Sequence, residues 1–536
     1  MHSVRFRISV LGHASELLKY MRQMARHRLL TCVLMGALPI VIRLVTLPYV
    51  PFPDPVATDE FSYLLGADTF ALGRLTNPPH PMWVHFETWH VLSQPTYASR
   101  YPPAQALFLA AGQKFLGHPL FGVWLSFGLL CACLCWMLQG WMPPIYALLG
   151  TLIGMGQIGI FGYWMNSYWG GAIAAAGGCL ILGALPRLER SINLSAAVLG
   201  SLGVPLIAFS RPLEGGVVLV VAGVLLLIRR RRRGRKMSEL FVPAVIIPAL
   251  VVGGLTAAAM ARYNYRVTGH PLLLPYILYE RTYARAPFLL FLPIRQLAYH
   301  HDVMRKYYSD EGVPAFLHKR AHLWNNVWVL QNMVAFYVST LIFFAMLVGA
   351  LCSRSARVKA ALAVLAALSL TVMLEKSPHP HYIAPGCGLF FALSMYGIRF
   401  LGLKARRFGP ALLLLFVFVV FGQGLTGILL AHNSDASPRT RLTNELMKKG
   451  GQHLVFVRYD LTQPFRFEYV YNKANIDGSP IVWARDMGQA KNQELLDYYP
   501  DRKAWLFQPD LKPTLLTPYP AERGDSGEVP KNLRSK

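Results

Sequence analysis

The sequence predicts an all-α polytopic membrane protein of about eleven transmembrane helices, followed by a small soluble α/β domain. Three observations predict it. Hydrophobic residues fill 54% of the 536 positions and charged residues only 15%, where a soluble chain of this length carries about 25% charged residues. Apolar runs near the roughly 20 residues that cross a bilayer recur as far as residue 431. Past that point the apolar runs give way to short alternating segments separated by turns.

Taken in order, residues 1–28 are basic (Arg5, Arg7, Lys19, Arg22, Arg26, Arg28) and precede an apolar run from Leu29 to Leu47. No short apolar core with a small-residue cleavage site is present, so this run reads as an uncleaved anchor with its N-terminus in the cytoplasm. A polar loop over 48–118 follows. Within it, Ala104 to Gly117 is apolar but too short to span, and suits the membrane interface. Further spans are expected near 119–139, 144–163, 170–185, 195–210, 215–228, 241–261, 328–350, 359–374, 383–400 and 408–431.

The net charge of +26 is carried largely in short loops between these runs: Arg229 to Arg233 with Arg235 and Lys236, then Arg354, Arg357 and Lys359, then Lys404, Arg406 and Arg407. Loops rich in Lys and Arg mark the cytoplasmic side. One threading from a cytoplasmic N-terminus puts every such cluster inside, and puts outside the 48–118 loop, Tyr163–Gly170, Ser210–Gly215, Arg262–Val327, Glu375–Tyr382 and everything after Asn433. The basic balance therefore reports topology and contact with anionic membrane lipids rather than nucleic acid. The seven cysteines (Cys32, Cys131, Cys133, Cys135, Cys179, Cys352, Cys387) lie within or beside apolar segments and indicate neither a disulfide framework nor a zinc site.

The transmembrane domain is thus expected over 29–431 and a periplasmic α/β domain over 432–515, with a disordered tail over 516–536. Alternation places strands at Leu454–Tyr459, Glu468–Tyr471, Ile481–Ala484 and Ala504–Gln508, with a helix at Asn492–Tyr499. No glycine-rich phosphate loop is found there.

Chemistry concentrates in the loop between the first two spans. Asp59-Glu60 opens a stretch whose Phe61, Leu64, Leu65, Leu72 and Leu75 fall on one helical face. Capping by Thr58, with the two acids answering the helix dipole, accounts for them without chemistry. A capped helix end also fixes a carboxylate in space, about ten residues past the first span. Later come His80, His85, Glu87 and His90; histidines with a glutamate can bind a metal, but the i, i+5 spacing with Trp83 and Trp89 between them fits an interfacial loop. The loop closes on Arg100-Tyr101-Pro102-Pro103, an extended segment ahead of the Ala104 helix. Arg211 and Glu214 stand between two spans, and Tyr263-Asn264-Tyr265, Thr268-Gly269-His270-Pro271, Arg281, Arg285, His300 and His301 lie in the largest middle loop. Glu375-Lys376-Ser377-Pro378-His379-Pro380-His381-Tyr382 precedes a late span. Cationic and hydrogen-bonding loops gathered on the side of an acid pair suit an anionic ligand, and arginine suits phosphate.

An acid pair early in the first external loop of an eleven-span chain resembles the GT-C superfamily of membrane glycosyltransferases, which includes protein O-mannosyltransferases and aminoarabinose transferases of lipid A. Asp59-Glu60-Phe61-Ser62-Tyr63, Arg100 to Gln105, Ser210 to Gly215, Tyr263-Asn264, Thr268 to Pro271 and His381 to Pro385 are similar to a bacterial branch of it, over roughly 29–431. The resemblance implies a bacterial inner-membrane enzyme with a polyprenyl-phosphate-linked sugar donor and a glycan, lipid or protein acceptor. It implies transfer on the periplasmic face, by inversion. Asp59 matches the first acid of the pair and is expected as general base, with Glu60 as its orienting neighbour or metal-side partner. Tyr63, Arg100, Tyr101, Arg211, His381 and Tyr382 are expected to bind substrate. The leaving group is already an anionic phosphate, so no second carboxylic acid is required, and a divalent metal is compatible with the chemistry but not demanded by it. The rival from another class is a transporter or lipid-linked glycan flippase, which tends to carry charges inside its spans. Arg43 is the one clear charge inside a proposed span, near its outer end.

Overall fold

A computed structural model of the chain describes residues 16–160, 162–404, 414–422, 437–460, 468–511 and 515–519. The segment before residue 16, Arg406 and Arg407, most of the 408–431 span, the 432–436 start of the tail and the chain past 519 lie outside them. Among the described residues two compact units form, Met1–Pro79 with Trp89–Ser437 and His80–Thr88 with Pro438–Lys536.

The first unit is helical. Seven helices are long and apolar enough to cross a membrane among the described residues, or eight if Asn326–Tyr337 and Thr340–Cys352, which meet at a bend of 106°, make one span. Of the eleven spans expected, the one near 408–431 lies mostly outside the described residues. The runs expected near 144–163 and 195–210 form the shorter apolar helices Pro144–Ile160 and Leu194–Ala208. Proline sets several of the starts. Pro119, Pro144, Pro212 and Pro243 each open a helix at its first turn, where the missing N–H has no intrahelical acceptor in any case.

Ala172–Arg190 is the central helix, 94% buried over its apolar window, whereas Pro243–Thr268 is 11% buried and lies at the rim. The central helix packs on Pro119–Trp141, Leu194–Ala208 and Pro212–Arg232. Small residues let these backbones approach, as suits helices with no hydrophobic drive to associate in lipid. A Cβ added at Gly178 would stand 1.9 Å from the Pro385 carbonyl oxygen, and one at Gly397 would stand 1.7 Å from that of Ala345. Arg43 is fully buried in the first span, over the Trp124 ring at 5.0 Å and within 3.2 Å of the Thr46 hydroxyl.

The loop after the first span folds as helix Thr58–Ala71, a two-residue hairpin Val91–Leu92 with Ala98–Ser99, and helix Ala104–Leu116. Pro103 precedes that last helix, as the Pro102-Pro103 pair requires. The two helices pack together. The middle loop joins the segment before the last long span through Leu290 N–H to Leu374 O (2.8 Å) and Lys376 N–H to Phe288 O (2.8 Å).

The second unit is α/β. Parallel strands Ile481–Arg485, His453–Val457 and Lys503–Gln508 stand in that order, with Leu515–Pro518 antiparallel at the edge. Helices Pro438–Lys449 and Gln489–Tyr498 accompany them. Residues 468–471, expected as a strand, are not one. The Glu468 carboxylate accepts the N–H groups of Tyr469 (2.9 Å) and Val470 (2.8 Å), which takes the donors a ladder would need. The loop segment His80–Thr88 belongs to this unit. His80 Nδ1 accepts the Met82 N–H (2.9 Å), so Nε2 carries the proton toward Asp477 Oδ1 (2.9 Å). Arg485 pairs with Glu468 at 2.5 Å and donates to the Glu87 carbonyl at 2.6 Å.

Candidate functional site

Asp59 is the second residue of helix Thr58–Ala71, and Ala57 rather than Thr58 is its cap residue. The Glu60 carboxylate reaches back instead. Its Oε2 accepts the N–H groups of Val56 and Ala57, both at 2.9 Å, and its Oε1 accepts that of Tyr168 at 2.9 Å. Glu60 therefore answers the orphan donors of the helix start. That leaves Asp59 free of capping work.

Asp59 is held from the far side of the loop. The Tyr101 hydroxyl donates to its Oδ1, and His90 Nε2 lies 3.2 Å from the same atom. Among the described residues both contacts fall on that oxygen. The side chain keeps 20% exposure, so the second oxygen can meet a substrate. Tyr101 in turn accepts from Arg100 Nη2 at 3.1 Å. The donors thus run one way, from guanidinium to phenol to carboxylate.

Arg100 is buried in a ring of tyrosines, its guanidinium 4.9 Å from the Tyr101 and Tyr276 ring centres and 4.8 Å from that of Tyr279. Glu280 Oε1 is 3.4 Å away, and Lys376 Nζ reaches the other oxygen of Glu280 at 3.5 Å. Arg100 Nε is buried without a partner, so its donors are not all spent. His90 has a left-handed backbone (φ 65°), a strained conformation for a residue with a Cβ. Three bonds hold it: its N–H donates to the Tyr279 hydroxyl (2.7 Å), and its carbonyl accepts from Ser62 Oγ (2.6 Å) and from the Arg100 N–H (3.2 Å).

Burial pushes the Asp59 carboxyl up, but His90, Arg100, the Tyr101 hydrogen bond and His379 outweigh it and hold it below the usual carboxylate range. Burial and Arg100 push His90 down to about 3 against the pull of Asp59. His90 is then a neutral donor at neutral pH, and Arg100 and Tyr101 carry the lowering of Asp59. Burial, with Asp59 against Arg100, raises the Tyr101 phenol well above its ordinary range, so it remains a donor.

A second group stands across from the first. Arg211, the residue before helix Pro212–Arg232, lies over the Tyr382 ring at 3.9 Å, with Glu214 Oε1 at 3.9 Å from Nη1. Tyr63 stacks on Tyr101 at 4.5 Å between centroids, and Tyr63 and Arg211 border one small void together. Arg100, Tyr101 and Arg211 line a larger cavity of about 240 Å³, walled by apolar residues such as Leu213, Met260, Leu274, Ile277 and Phe288. His381 sits beside Tyr382 with Nδ1 3.4 Å from the Tyr163 hydroxyl, and lines neither cavity. Glu375 is fully buried with both carboxyl oxygens unpartnered. Burial, then the Glu214 charge, pushes it up to about 9 against Arg211 and Lys319.

Arg100, Tyr101 and Arg211 thus line one apolar cavity, with Asp59 bonded to Tyr101, Tyr63 stacked on Tyr101 and Tyr382 against Arg211, and Glu60 caps the helix start. His80, His85 and Glu87 belong to the second unit and His90 to the first, and among the described residues no three His, Cys, Asp or Glu side chains are grouped to hold a metal. His90, Tyr276, Tyr279 and Glu280 are additions to the expected site. The only hint of them in the sequence was that His90 lies in the same polar loop as Asp59.

No protein-family model matches the chain, and no curated protein matches it in sequence. Among solved structures it is similar to the Archaeoglobus fulgidus oligosaccharyltransferase complexed with zinc and sulfate, at 12% identity and a TM-score of 0.49 over 88% of this chain and 67% of that one. It is also similar to ArnT from Cupriavidus metallidurans bound to undecaprenyl phosphate, at 13% identity and a TM-score of 0.49 over 89% and 92%. Archaeal AglB with an inhibitory peptide and a dolichol-phosphate follows at 12% identity and 0.45, over 90% and 70%. At these scores the likeness bears no functional weight, and the site itself must carry the reading.

Proposed function

We propose that the protein is a membrane glycosyltransferase of GT-C type that moves a sugar from a polyprenyl-phosphate-linked donor to an acceptor hydroxyl, with Asp59 as general base. The observation that supports it is the pairing of one clamped, partly exposed carboxylate with two arginines on the wall of an apolar cavity. A lipid-linked phosphate needs that combination: cations for the head and an apolar wall for the chain. An apolar molecule alone would not call for Arg100 and Arg211, and a free anion would not call for Met260, Leu274 and Ile277.

The chemistry follows from the residues. The acceptor oxygen attacks the anomeric carbon from the face opposite the phosphate, its proton passes to Asp59, and the carbon–oxygen bond to the phosphate breaks. A single displacement of this kind inverts the anomeric centre. A lowered carboxyl is ionised at neutral pH and ready to accept, while Arg100 and Arg211 meet the charge growing on the leaving phosphate. Tyr101 and His90 fix the orientation of Asp59, and Glu60 fixes the helix start that carries it. Arg28, Arg190, Arg233 and Arg357 stand at the opposite ends of the spans whose other ends frame the site, and under the charge rule this supports transfer on the outer, periplasmic face.

The test is transfer of a labelled sugar from polyprenyl-phosphate-linked donors in membranes containing the protein. Transfer that disappears in Asp59→Asn supports the reading. Transfer from no lipid-linked donor, with lipid or ion movement across vesicles in its place, would favour a transporter.

A further inference from the structure

The ends of the spans far from the site carry an arrangement that sugar transfer does not use. Four helices bring six arginines to one place: Arg28 at the start of Arg28–Thr46, Arg187 and Arg190 at the end of Ala172–Arg190, Arg229 and Arg233 at the end of Pro212–Arg232, and Arg357 at the start of Ala356–Met373. Arg190 lies within electrostatic reach of Arg28, Arg233 and Arg357, Arg229 of Arg233 and Arg357, and Arg187 of Arg28. The buried Glu189 serves two of them, at 3.2 Å from Arg229 and 2.9 Å from Arg233. Among the described residues the other four make no ion pair with a carboxylate, though Glu189 lies within electrostatic reach of Arg190.

Two of those four are fixed by neutral groups. Arg187 donates to the carbonyls of Gly183 (2.7 Å) and Trp136 (2.8 Å), and Arg357 donates to that of Trp141 (2.5 Å). Their positions are set without their charge being met, and Arg229 Nη1 is buried with no partner at all. Arg28 and Arg357 also sit in the first turns of their helices, where the macrodipole disfavours a cation. One buried carboxylate against six arginines leaves a net positive cluster, which favours a further anion. Beside the arginines, Leu29, Leu227 and Ile228 are exposed at 80%, 43% and 44%, a surface for acyl chains that a free anion would not need.

We propose that this cluster is a binding site for the phosphodiester headgroup of an anionic phospholipid, its acyl chains lying over Leu29, Leu227 and Ile228. The site is independent of the sugar-transfer reading, because it rests on no residue of the cavity.

The experiment follows the melting midpoint of the full-length protein in neutral detergent, with phosphatidylglycerol, phosphatidylcholine or inorganic phosphate added in turn. Phosphatidylglycerol should stabilise at the lowest concentration. Arg28→Gln with Arg190→Gln removes two exposed cations that hold no carbonyl, and should weaken that effect about 30-fold, equivalent to about 2 kcal/mol. Arg231→Gln with Arg232→Gln removes the same charge from the exposed run beside the cluster, and should leave it within a few-fold. Equal stabilisation by both lipids overturns the site, as does equal loss in the two double variants, which would mean bulk attraction. Stabilisation by inorganic phosphate alone overturns the lipid assignment. If Arg28→Gln with Arg190→Gln fails to fold in phosphatidylcholine, Arg190→Gln alone carries the same comparison at about fivefold.

Discussion

Asp59→Asn tests the mechanism most directly, because the structure gives separate magnitudes for chemistry and for stability. Asparagine keeps an oxygen where Oδ1 stands, so the Tyr101 and His90 donors still find an acceptor. Each contact falls from a charge-assisted bond to an ordinary one, a loss of about 1 kcal/mol apiece. Asp59 is 20% exposed, so little of that loss is screened away, and the fold should weaken by about 2 kcal/mol at most. Removal of a general base lowers turnover by about 100- to 10,000-fold. The assay is labelled sugar transfer per folded molecule, measured beside the melting midpoint. Glu60→Gln supplies the contrast. An amide there must turn an NH₂ toward at least one of three backbone N–H groups, which costs about 1–3 kcal/mol, while turnover per folded molecule stays within a few-fold. Full turnover in Asp59→Asn refutes the base assignment. The reverse pattern, intact with Asp59→Asn and lost with Glu60→Gln, moves the base to Glu60.

Arg211→Ala should weaken use of the lipid-linked donor by roughly 10- to 150-fold, the equivalent of one charge-assisted contact of about 1.5–3 kcal/mol, and donor titration in membranes measures it. Glu375 should make stability fall with rising pH. Its carboxyl is raised to about 9 in the folded state from 4.5, so between those values the folded protein holds a proton that the unfolded chain has lost, and unfolding is favoured as pH rises. Glu375→Gln should flatten the melting midpoint across that window, and an unchanged slope refutes the placement. Gly178→Ala should destabilise by about 1–3 kcal/mol, because its Cβ would press on the Pro385 carbonyl, 1.9 Å away. Thermal melting checks it, and a neutral effect would mean that the turn carrying Tyr382 yields.

Membrane class and the gathering of polar loops were legible because both follow from composition: apolar runs at span length and polar residues between them. Asp59, Arg100, Tyr101 and Arg211 could be named because they lie in those polar loops and match stretches that resemble the GT-C superfamily. The division of labour between Asp59 and Glu60 could not, since it turns on which carboxylate meets the N–H groups of Val56, Ala57 and Tyr168. His90 was visible only as one of several histidines. Its partnership with Asp59 depends on a left-handed residue and a hairpin, and neither leaves a periodic mark. The shape of one span was hidden for a related reason. Hydropathy sees the apolar run over 328–350 and not the 106° bend within it.

The insertion of residues 80–88 into the second unit limits what can be cut or exchanged. A domain at the end of a chain can ordinarily be removed or swapped, leaving the remainder intact. Here truncation before Pro438 would strip His80 of Asp477 and the Glu87 carbonyl of Arg485. The stretch left without partners rejoins the first unit at Trp89, one residue ahead of the histidine that touches Asp59. The α/β domain is therefore the missing half of a loop and not an appendage, and a recombined chain would need both pieces from the same parent.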